Sequence, residues 1–157
     1  MSKILEQQKK IIVWEDSEFI VTTPIIPHIS KGDGGHLIVS PKSSVGEIFE
    51  LDDYILFKMI KIVAICNKAL KEVLGKQGIE IPYTNNQDNG NWASLNNMPK
   101  SLHFHIYGRA KNSLNQIFGQ AIHAPDPRST FYDNNQPLTD SDIEQIKECI
   151  NQHLTLI

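Results

Sequence analysis

The sequence predicts an α+β fold with a mainly antiparallel sheet. Several short β-rich runs are grouped around one long amphipathic helix, and they do not alternate with helices in the regular order that a parallel sheet requires. The composition, 40% hydrophobic and 21% charged over 157 residues, is typical of one globular domain and not of a disordered chain. We therefore expect a single domain over residues 1–157.

The first three predicted strands lie near the N-terminus. Residues 11–14 and 19–23 are rich in β-branched and aromatic side chains and are separated by Glu-Asp-Ser, which predicts a hairpin. Residues 24–35 contain prolines and glycines that a central strand does not tolerate, so we expect a loop there. Residues 36–40, His-Leu-Ile-Val-Ser, predict a third strand that ends at Pro41.

A long core helix is predicted over residues 52–74. Gly75 and Gly78 are expected to end it, because glycine readily adopts the left-handed conformation found at helix C-termini. The helix is indicated by apolar residues that recur every three or four positions, namely Ile55, Met59, Ile62, Cys66, Ala69 and Val73.

The next part of the chain is predicted to return to the sheet. We expect an extended run over residues 79–83, an asparagine-rich loop over 84–100, and a strand over 101–107. A short helix is predicted near residues 114–118. The pattern therefore adds strands after the long helix.

A C-terminal helix is predicted to begin near Thr139. The segment from Ser141 to Glu144 has the spacing of a capping box, and isoleucines recur at helical spacing after it. Cys149 lies in this pattern and Cys66 lies in the long helix, so we expect two reduced core thiols and no disulfide.

The charge and the N-terminus exclude several classes of function. With 18 acidic and 15 basic residues, the formal charge of −3 provides no basic field for nucleic acid, so phosphate binding must be local. Residues 1–10 are polar and charged, which predicts neither a signal peptide nor a membrane anchor. We expect a cytoplasmic protein with no membrane partner.

The predicted strand over residues 101–107 carries the candidate chemistry. Because alternate residues of a strand share a face, Ser101, His103, His105 and Tyr107 lie on one side, and the apolar residues between them face the other. Imidazoles are neutral or charged near pH 7, so one can act as a nucleophile while its neighbour transfers a proton. The pattern predicts a reactive face.

Two other interpretations of the histidine pair remain open. The pair can be two solvated histidines on an exposed strand, or it can bind a metal ion together with His36 in a metal-dependent enzyme that uses His36, His103 and His105. The remaining histidines have no informative spacing and are expected to be surface or structural residues: His28, His123 and His153.

The residues around this strand resemble the histidine triad (HIT) superfamily, whose motif is His-φ-His-φ-His-φ-φ, with φ apolar, followed usually by Pro or Gly and a basic residue. The segment from Ser101 to Arg109 matches every apolar position and the Gly-Arg ending, but serine replaces the first histidine. The segment from Gly34 to Lys42 is similar to the family's Gly-His-φ-φ-φ-x-Pro-Lys strand, and Asn89-Gly90 is similar to its Asn-x-Gly loop.

The resemblance covers residues 11–109, and residues 110–157 form a less diagnostic C-terminal extension. It implies a five-stranded antiparallel sheet with a long core helix and a C-terminal helix. It also implies a homodimer that pairs through the long helix and an edge strand.

The resemblance assigns catalytic roles to three histidines. His103, in the middle position, would attack the α-phosphate and form a covalent nucleotidyl-histidine. His105 would contact the phosphate or transfer a proton to the leaving group, and His36 would support the site from the neighbouring strand. No metal or other cofactor is required for the covalent step.

Three further residues are assigned to substrate binding. Asn89 would orient the ribose or phosphate, the backbone around Ser101 would help hold the transferred group, and Arg109 would supply charge near the phosphate. The implied activity is hydrolysis or transfer at the α-phosphate of a dinucleoside polyphosphate or a nucleoside phosphoramidate. If Ser101 does not replace the lost imidazole, the alternative is a catalytically weak nucleotide-binding protein.

Overall fold

Five strands form one sheet in the computed structural model, which describes residues 9–126 and 128–154. They lie in the order β1-β2-β3-β5-β4, and every neighbouring pair is antiparallel. The predicted α+β fold with a five-stranded antiparallel sheet is confirmed. The strands are β1 (Lys10–Glu15), β2 (Phe19–Pro24), β3 (His36–Pro41), β4 (Tyr83–Gln87) and β5 (Phe104–Arg109).

The predicted hairpin is formed by β1 and β2. The Asp16 side chain stabilises the turn between them, because its Oδ1 accepts hydrogen bonds of 2.8 Å from the backbone N–H groups of Glu18 and Phe19. A register shift between Ile12 and Trp14 marks a bulge in β1. The hydrogen bonds to the Asp16 side chain thus fix the turn that joins β1 to β2.

The long helix, α1, spans Asp53–Gly75 and agrees with the prediction to within one residue at each end. Asp52 caps it by accepting a hydrogen bond of 2.9 Å from the backbone N–H of Ile55. Gly75 is its last residue, and Gly78 adopts a positive φ of 82°. The predicted helix end is therefore confirmed.

The C-terminal helix, α2, spans Asp140–Leu154, but its capping box lies two residues earlier than predicted. The backbone N–H and hydroxyl of Thr139 donate to Asp142 Oδ2 at 2.7 and 2.8 Å, and the Asp142 N–H donates back to the Thr139 hydroxyl at 3.3 Å. The assignment to Ser141 and Glu144 was wrong because both Thr139 and Ser141 offer a hydroxyl, and the helix begins after the first.

The hydrophobic core lies between α1 and one face of the sheet. Leu37 and Val39 of β3 and Ile106 of β5 are fully buried against the apolar side of α1. Helix α2 packs against α1 and β1. Both cysteines are buried free thiols, as predicted.

Two predictions for the middle of the chain were wrong. Strand β4 (Tyr83–Gln87) falls mostly in the predicted asparagine-rich loop, because pairing with β5 satisfies its backbone and outweighs the low β propensity of asparagine. The segment 114–118 forms turns and no helix. Its structure is instead determined by tertiary hydrogen bonds described below.

Strand β5 begins three residues later than predicted. The backbone N–H of Leu102 donates to the Val45 carbonyl at 2.9 Å, so residues 101–103 approach a loop instead of a neighbouring strand. His103 therefore lies just before β5 and not within it.

Neither helix in the described part of the chain is long and apolar enough to cross a membrane. The expectation drawn from the polar N-terminal segment concerns mainly residues 1–8, which lie outside the described residues.

Because Gly34 and Gly108 have no side chains, the backbone of the loop before β3 contacts the backbone of β5 directly. A Cβ atom built on Gly108 would lie 2.0 Å from the carbonyl oxygen of Gly34, and one on Gly34 would lie 2.4 Å from the carbonyl carbon of Gly108. Gly34 also has a φ of 127°, which L side chains rarely adopt. No larger residue fits either position without backbone movement.

We expect Gly108→Ala to lower the free energy of unfolding by about 3 kcal/mol, because the added methyl group overlaps the backbone of Gly34. Urea denaturation measures the loss. Gly75→Ala is the matched control, since its Cβ would meet nothing within 4 Å at the end of α1. Equal stability of the two variants would contradict the close approach.

Candidate active site

The face of the sheet opposite α1 carries a cluster of histidines. In the antiparallel register of β3 and β5, His36 lies opposite Tyr107 and Ile38 lies opposite His105. Because opposite residues share a face, the imidazoles of both strands lie on the same side of the sheet. His36 and His105 are buried, 1% and 5% exposed.

His103 is held next to His105 by a bond to the main chain. The ring centroids of His103 and His105 are 4.7 Å apart in an edge-on arrangement. His103 Nδ1 lies 2.7 Å from the backbone carbonyl oxygen of Ser101. A carbonyl oxygen only accepts, so Nδ1 carries the hydrogen and, in the neutral ring, Nε2 keeps its lone pair. That is the tautomer required of an imidazole nucleophile.

The pKa of His103 is lowered from its ordinary value. Burial is the main cause, and it outweighs the Ser101 carbonyl, which raises the pKa of His103 by accepting the Nδ1 hydrogen bond. His103 is therefore neutral and nucleophilic at pH 7.

A second hydrogen-bonded chain fixes the tautomer of His105. The backbone N–H of His28 donates to His36 Nδ1 at 3.2 Å, so His36 carries its hydrogen on Nε2. His36 Nε2 lies 2.8 Å from His105 Nδ1 and donates to it. Neutral His105 consequently carries its hydrogen on Nε2, where it acts as a donor. His103 and His105 thus present a lone pair and an N–H group, respectively.

Burial keeps this chain neutral. It lowers the pKa of His36 and of His105 well below their ordinary value, and the neighbouring histidines lower both further. Protonation of either ring would place a positive charge in a buried site, and protonation of both would place two such charges side by side.

His28 belongs to the cluster, although its spacing in the sequence predicted only a surface or structural histidine. Its ring stacks on His36 with centroids 4.8 Å apart, and its Nδ1 lies 2.8 Å from the Tyr107 hydroxyl. Burial and then the charge of His103 lower its pKa to about 4. The spacing of His28 in the sequence does not indicate a site residue, because the loop over residues 24–35 must fold back over β3 before His28 reaches the cluster.

Asn89 is connected to the cluster through Tyr107. The Asn89 side chain accepts a hydrogen bond of 2.9 Å from Gln87 Nε2 and donates one of 3.1 Å to the Tyr107 hydroxyl. Trp92, on the following 3₁₀ segment, lies over His28 with ring centroids 5.3 Å apart. The asparagine-rich segment therefore forms a wall of the site.

Arg109 shares the sheet face with His105 and Tyr107, but its hydrogen bonds are to residues outside the histidine cluster. Its guanidinium donates to Asn85 Oδ1 at 2.9 Å and to the backbone carbonyls of Ile117 and Gln120 at 3.1 and 2.9 Å. The residue is only 3% exposed. In this geometry Arg109 anchors the loop after β5.

Ser101 is exposed and contacts the cluster through its carbonyl oxygen. The orientation of His103 therefore depends on the main chain at position 101 and not on the side chain there. A change of the side chain at position 101 would therefore leave this hydrogen bond in place.

Lys10, at the start of β1, is a charged neighbour of the cluster that no sequence pattern indicated. Its charge lowers the pKa of each of the four clustered histidines. Burial lowers the pKa of Lys10 itself. The hairpin therefore supplies positive charge close to the histidine cluster.

A group with metal-ligand spacing is also present, but its members differ from the predicted ones. Ligand atoms of His28, His36 and His105 lie within 4.8 Å of one another, and His28 takes the place of His103. Binding at His36 Nε2 would require hydrogen on its Nδ1, which faces the donating N–H of His28. The backbone N–H of His28 and an Nδ1–H of His36 would then point at each other, which disfavours a metal at His36.

The sequence matches no protein-family model and no curated protein, but similar structures are known. A histidine triad protein from Sinorhizobium meliloti has a TM-score of 0.63 at 14% identity, covering 97% of this chain and 95% of that one. One from Bradyrhizobium japonicum has a TM-score of 0.62 at 14% identity, covering 97% and 94%. A hypothetical histidine triad nucleotide-binding protein from Sulfolobus tokodaii has a TM-score of 0.56 at 18% identity, covering 98% and 89%. The chain has a HIT-like fold.

The neutral cluster predicts a loss of stability in acid. Unfolded histidines bind protons below about pH 6.5, whereas the folded cluster binds them only at lower pH, so acidification favours the unfolded state. With a folded pKa of about 4, His28 alone lowers the free energy of unfolding by about 2 kcal/mol at pH 5 relative to pH 7.

Urea denaturation at pH 7 and pH 5 measures this effect. We expect His28→Phe to reduce the difference between the two pH values, and His123→Gln, a change at an exposed loop histidine, to leave it as in the wild type. An undiminished difference in His28→Phe would show that His28 is not buried in its neutral form.

Proposed function

We propose that the chain is a HIT-family nucleotide hydrolase or nucleotidyl transferase that acts through a covalent nucleotidyl-histidine. The observation that carries this proposal is the bond between His103 Nδ1 and the Ser101 carbonyl, which leaves His103 Nε2 as a neutral lone pair. The HIT-like fold supports it. The substrate class is a dinucleoside polyphosphate or a nucleoside phosphoramidate.

In the first step, His103 Nε2 attacks the α-phosphorus. A P–N bond to the imidazole forms while the bond from phosphorus to the leaving oxygen or nitrogen breaks. His105 Nε2–H donates a hydrogen bond to the leaving group, which takes its proton from solvent. The Ser101 carbonyl accepts the Nδ1 hydrogen throughout and stabilises the positive charge that develops on His103. Water or another hydroxyl acceptor then attacks phosphorus, the P–N bond breaks, and the proton of the acceptor is released to solvent, which regenerates neutral His103.

The other site residues act as supports in this proposal. His36 fixes the tautomer of His105, and Asn89 holds Tyr107 beside His28 while its loop faces the nucleotide. Arg109 secures the 117–120 turn instead of binding phosphate directly. Lys10 is our candidate for charge near the phosphate.

The first experiment tests the nucleophile. Wild type and His103→Ala are incubated with dinucleoside polyphosphates and adenosine phosphoramidates, and nucleoside monophosphate release is followed. We expect His103→Ala to lose at least about a thousandfold in rate, because no other group replaces the attacking nitrogen. His123→Ala is the matched histidine control and should retain full activity.

An acid-quenched reaction with labelled substrate should trap the label on the wild-type chain. Label that appears equally on His103→Ala would contradict the assignment of the nucleophile. Nucleotide binding without release by the wild type would favour the weak binding protein, the second candidate function.

Ser101→Ala separates the backbone role from the side-chain role. We expect its kcat/KM to remain within about tenfold of the wild type, a cost below about 1.4 kcal/mol, because the Ser101 carbonyl is unchanged. Steady-state kinetics on the best substrate measure this. A loss as large as that of His103→Ala would show that the hydroxyl itself is required.

We also propose that the chain forms a homodimer through α1 and β4. Tyr54 and Phe57 of α1 are 64% and 74% exposed, and Ile60 is 46% exposed, so one apolar side of this helix is uncovered in the monomer. Strand β4 has β5 as its one partner in the described sheet, which leaves its other edge open for pairing. Light scattering that gives the monomer mass at micromolar concentration would refute the dimer.

A further inference from the structure

A second cluster of ligand-forming side chains lies between the two helices, away from the histidine face of the sheet. Glu72 projects from α1, and Cys149 and His153 project from α2. Their carboxylate, thiol and imidazole ligand atoms all lie within 4.8 Å of one another. None of these groups has a role in the proposed nucleotide chemistry.

We propose that Glu72, Cys149 and His153 bind a zinc ion that joins α1 to α2. Cys149 and His153 are four residues apart, so they lie one turn apart on the same side of α2. Thiolate, imidazole and carboxylate are the protein ligands that zinc prefers. A water molecule completes the tetrahedron.

The distance between two of these ligand atoms suits a shared ion. Two ligands held at ordinary zinc distances and a tetrahedral angle lie about 3.6 Å apart. The sulfur of Cys149 lies 3.5 Å from Glu72 Oε2. The imidazole ligand atom of His153 lies within 4.8 Å of the other two ligand atoms, so the third ligand is close to the same centre.

Zinc binds a cysteine as the thiolate, so the Cys149 thiol must lose its proton. The S–Zn bond forms as this proton is released to solvent.

Two lysines face the same region. Lys68 lies 3.6 Å from Glu72 Oε1, and this ion pair leaves Oε2 directed at Cys149. The charges of Lys68 and Lys76 reach Cys149 and oppose an incoming cation. The Glu72 side chain is 45% exposed, which gives the ion a path from solvent.

The test uses the full chain with zinc or cobalt(II) alone. We expect one zinc per chain by isothermal titration, a rise in Tm with zinc, and a thiolate-to-cobalt charge-transfer band in the near ultraviolet. Cys149→Ser should lose both the band and the rise in Tm. Cys66→Ala, a change at the other buried thiol, should keep both.

Two more variants separate this site from the histidine cluster. His153 is partly exposed near the end of α2, so we expect His153→Gln to leave the chain folded, which circular dichroism verifies. This variant should weaken zinc binding by at least about tenfold. His36→Gln should bind zinc as the wild type does. Zinc binding that is lost in His36→Gln and kept in Cys149→Ser would overturn the proposal, as would the absence of zinc binding by the wild type.

Discussion

The pairing of β3 with β5 is the constraint on which both the core and the candidate site depend. Its register places Leu37 beside Ile106 on the face covered by α1, and His36 beside Tyr107 on the opposite face. A shift of one residue would exchange the two faces and bury imidazoles in the apolar core. The free energy of core packing therefore also holds the histidines in register.

Main-chain groups give the histidines different chemical roles. The Ser101 carbonyl requires a hydrogen on His103 Nδ1, whereas the His28 N–H requires a lone pair on His36 Nδ1 and, through His36, a hydrogen on His105 Nε2. Of two residues of the same type, one thereby presents a lone pair and the other an N–H group. Low pKa values keep both rings neutral, so this difference between them is already present in the free protein.

The sequence was sufficient to predict elements whose own residues determine them. The period of α1 and the alternation around His105 gave the long helix and the histidine face. Strand β4 was missed because its Tyr-Thr-Asn-Asn-Gln sequence is polar and depends on pairing with β5. His28 was missed because a folded loop brings it to β3, and the partners of Arg109 depend on a turn eight to eleven residues later.

The bond between the Ser101 carbonyl and His103 also bears on how related chains are recognised. Every amino acid supplies a backbone carbonyl, so residue 101 can change without altering the direction of the imidazole that follows two positions later. A sequence pattern that demands histidine at this place selects for a side chain that the bond does not use. The spacing of His103 and His105 is the part of the pattern on which this arrangement depends.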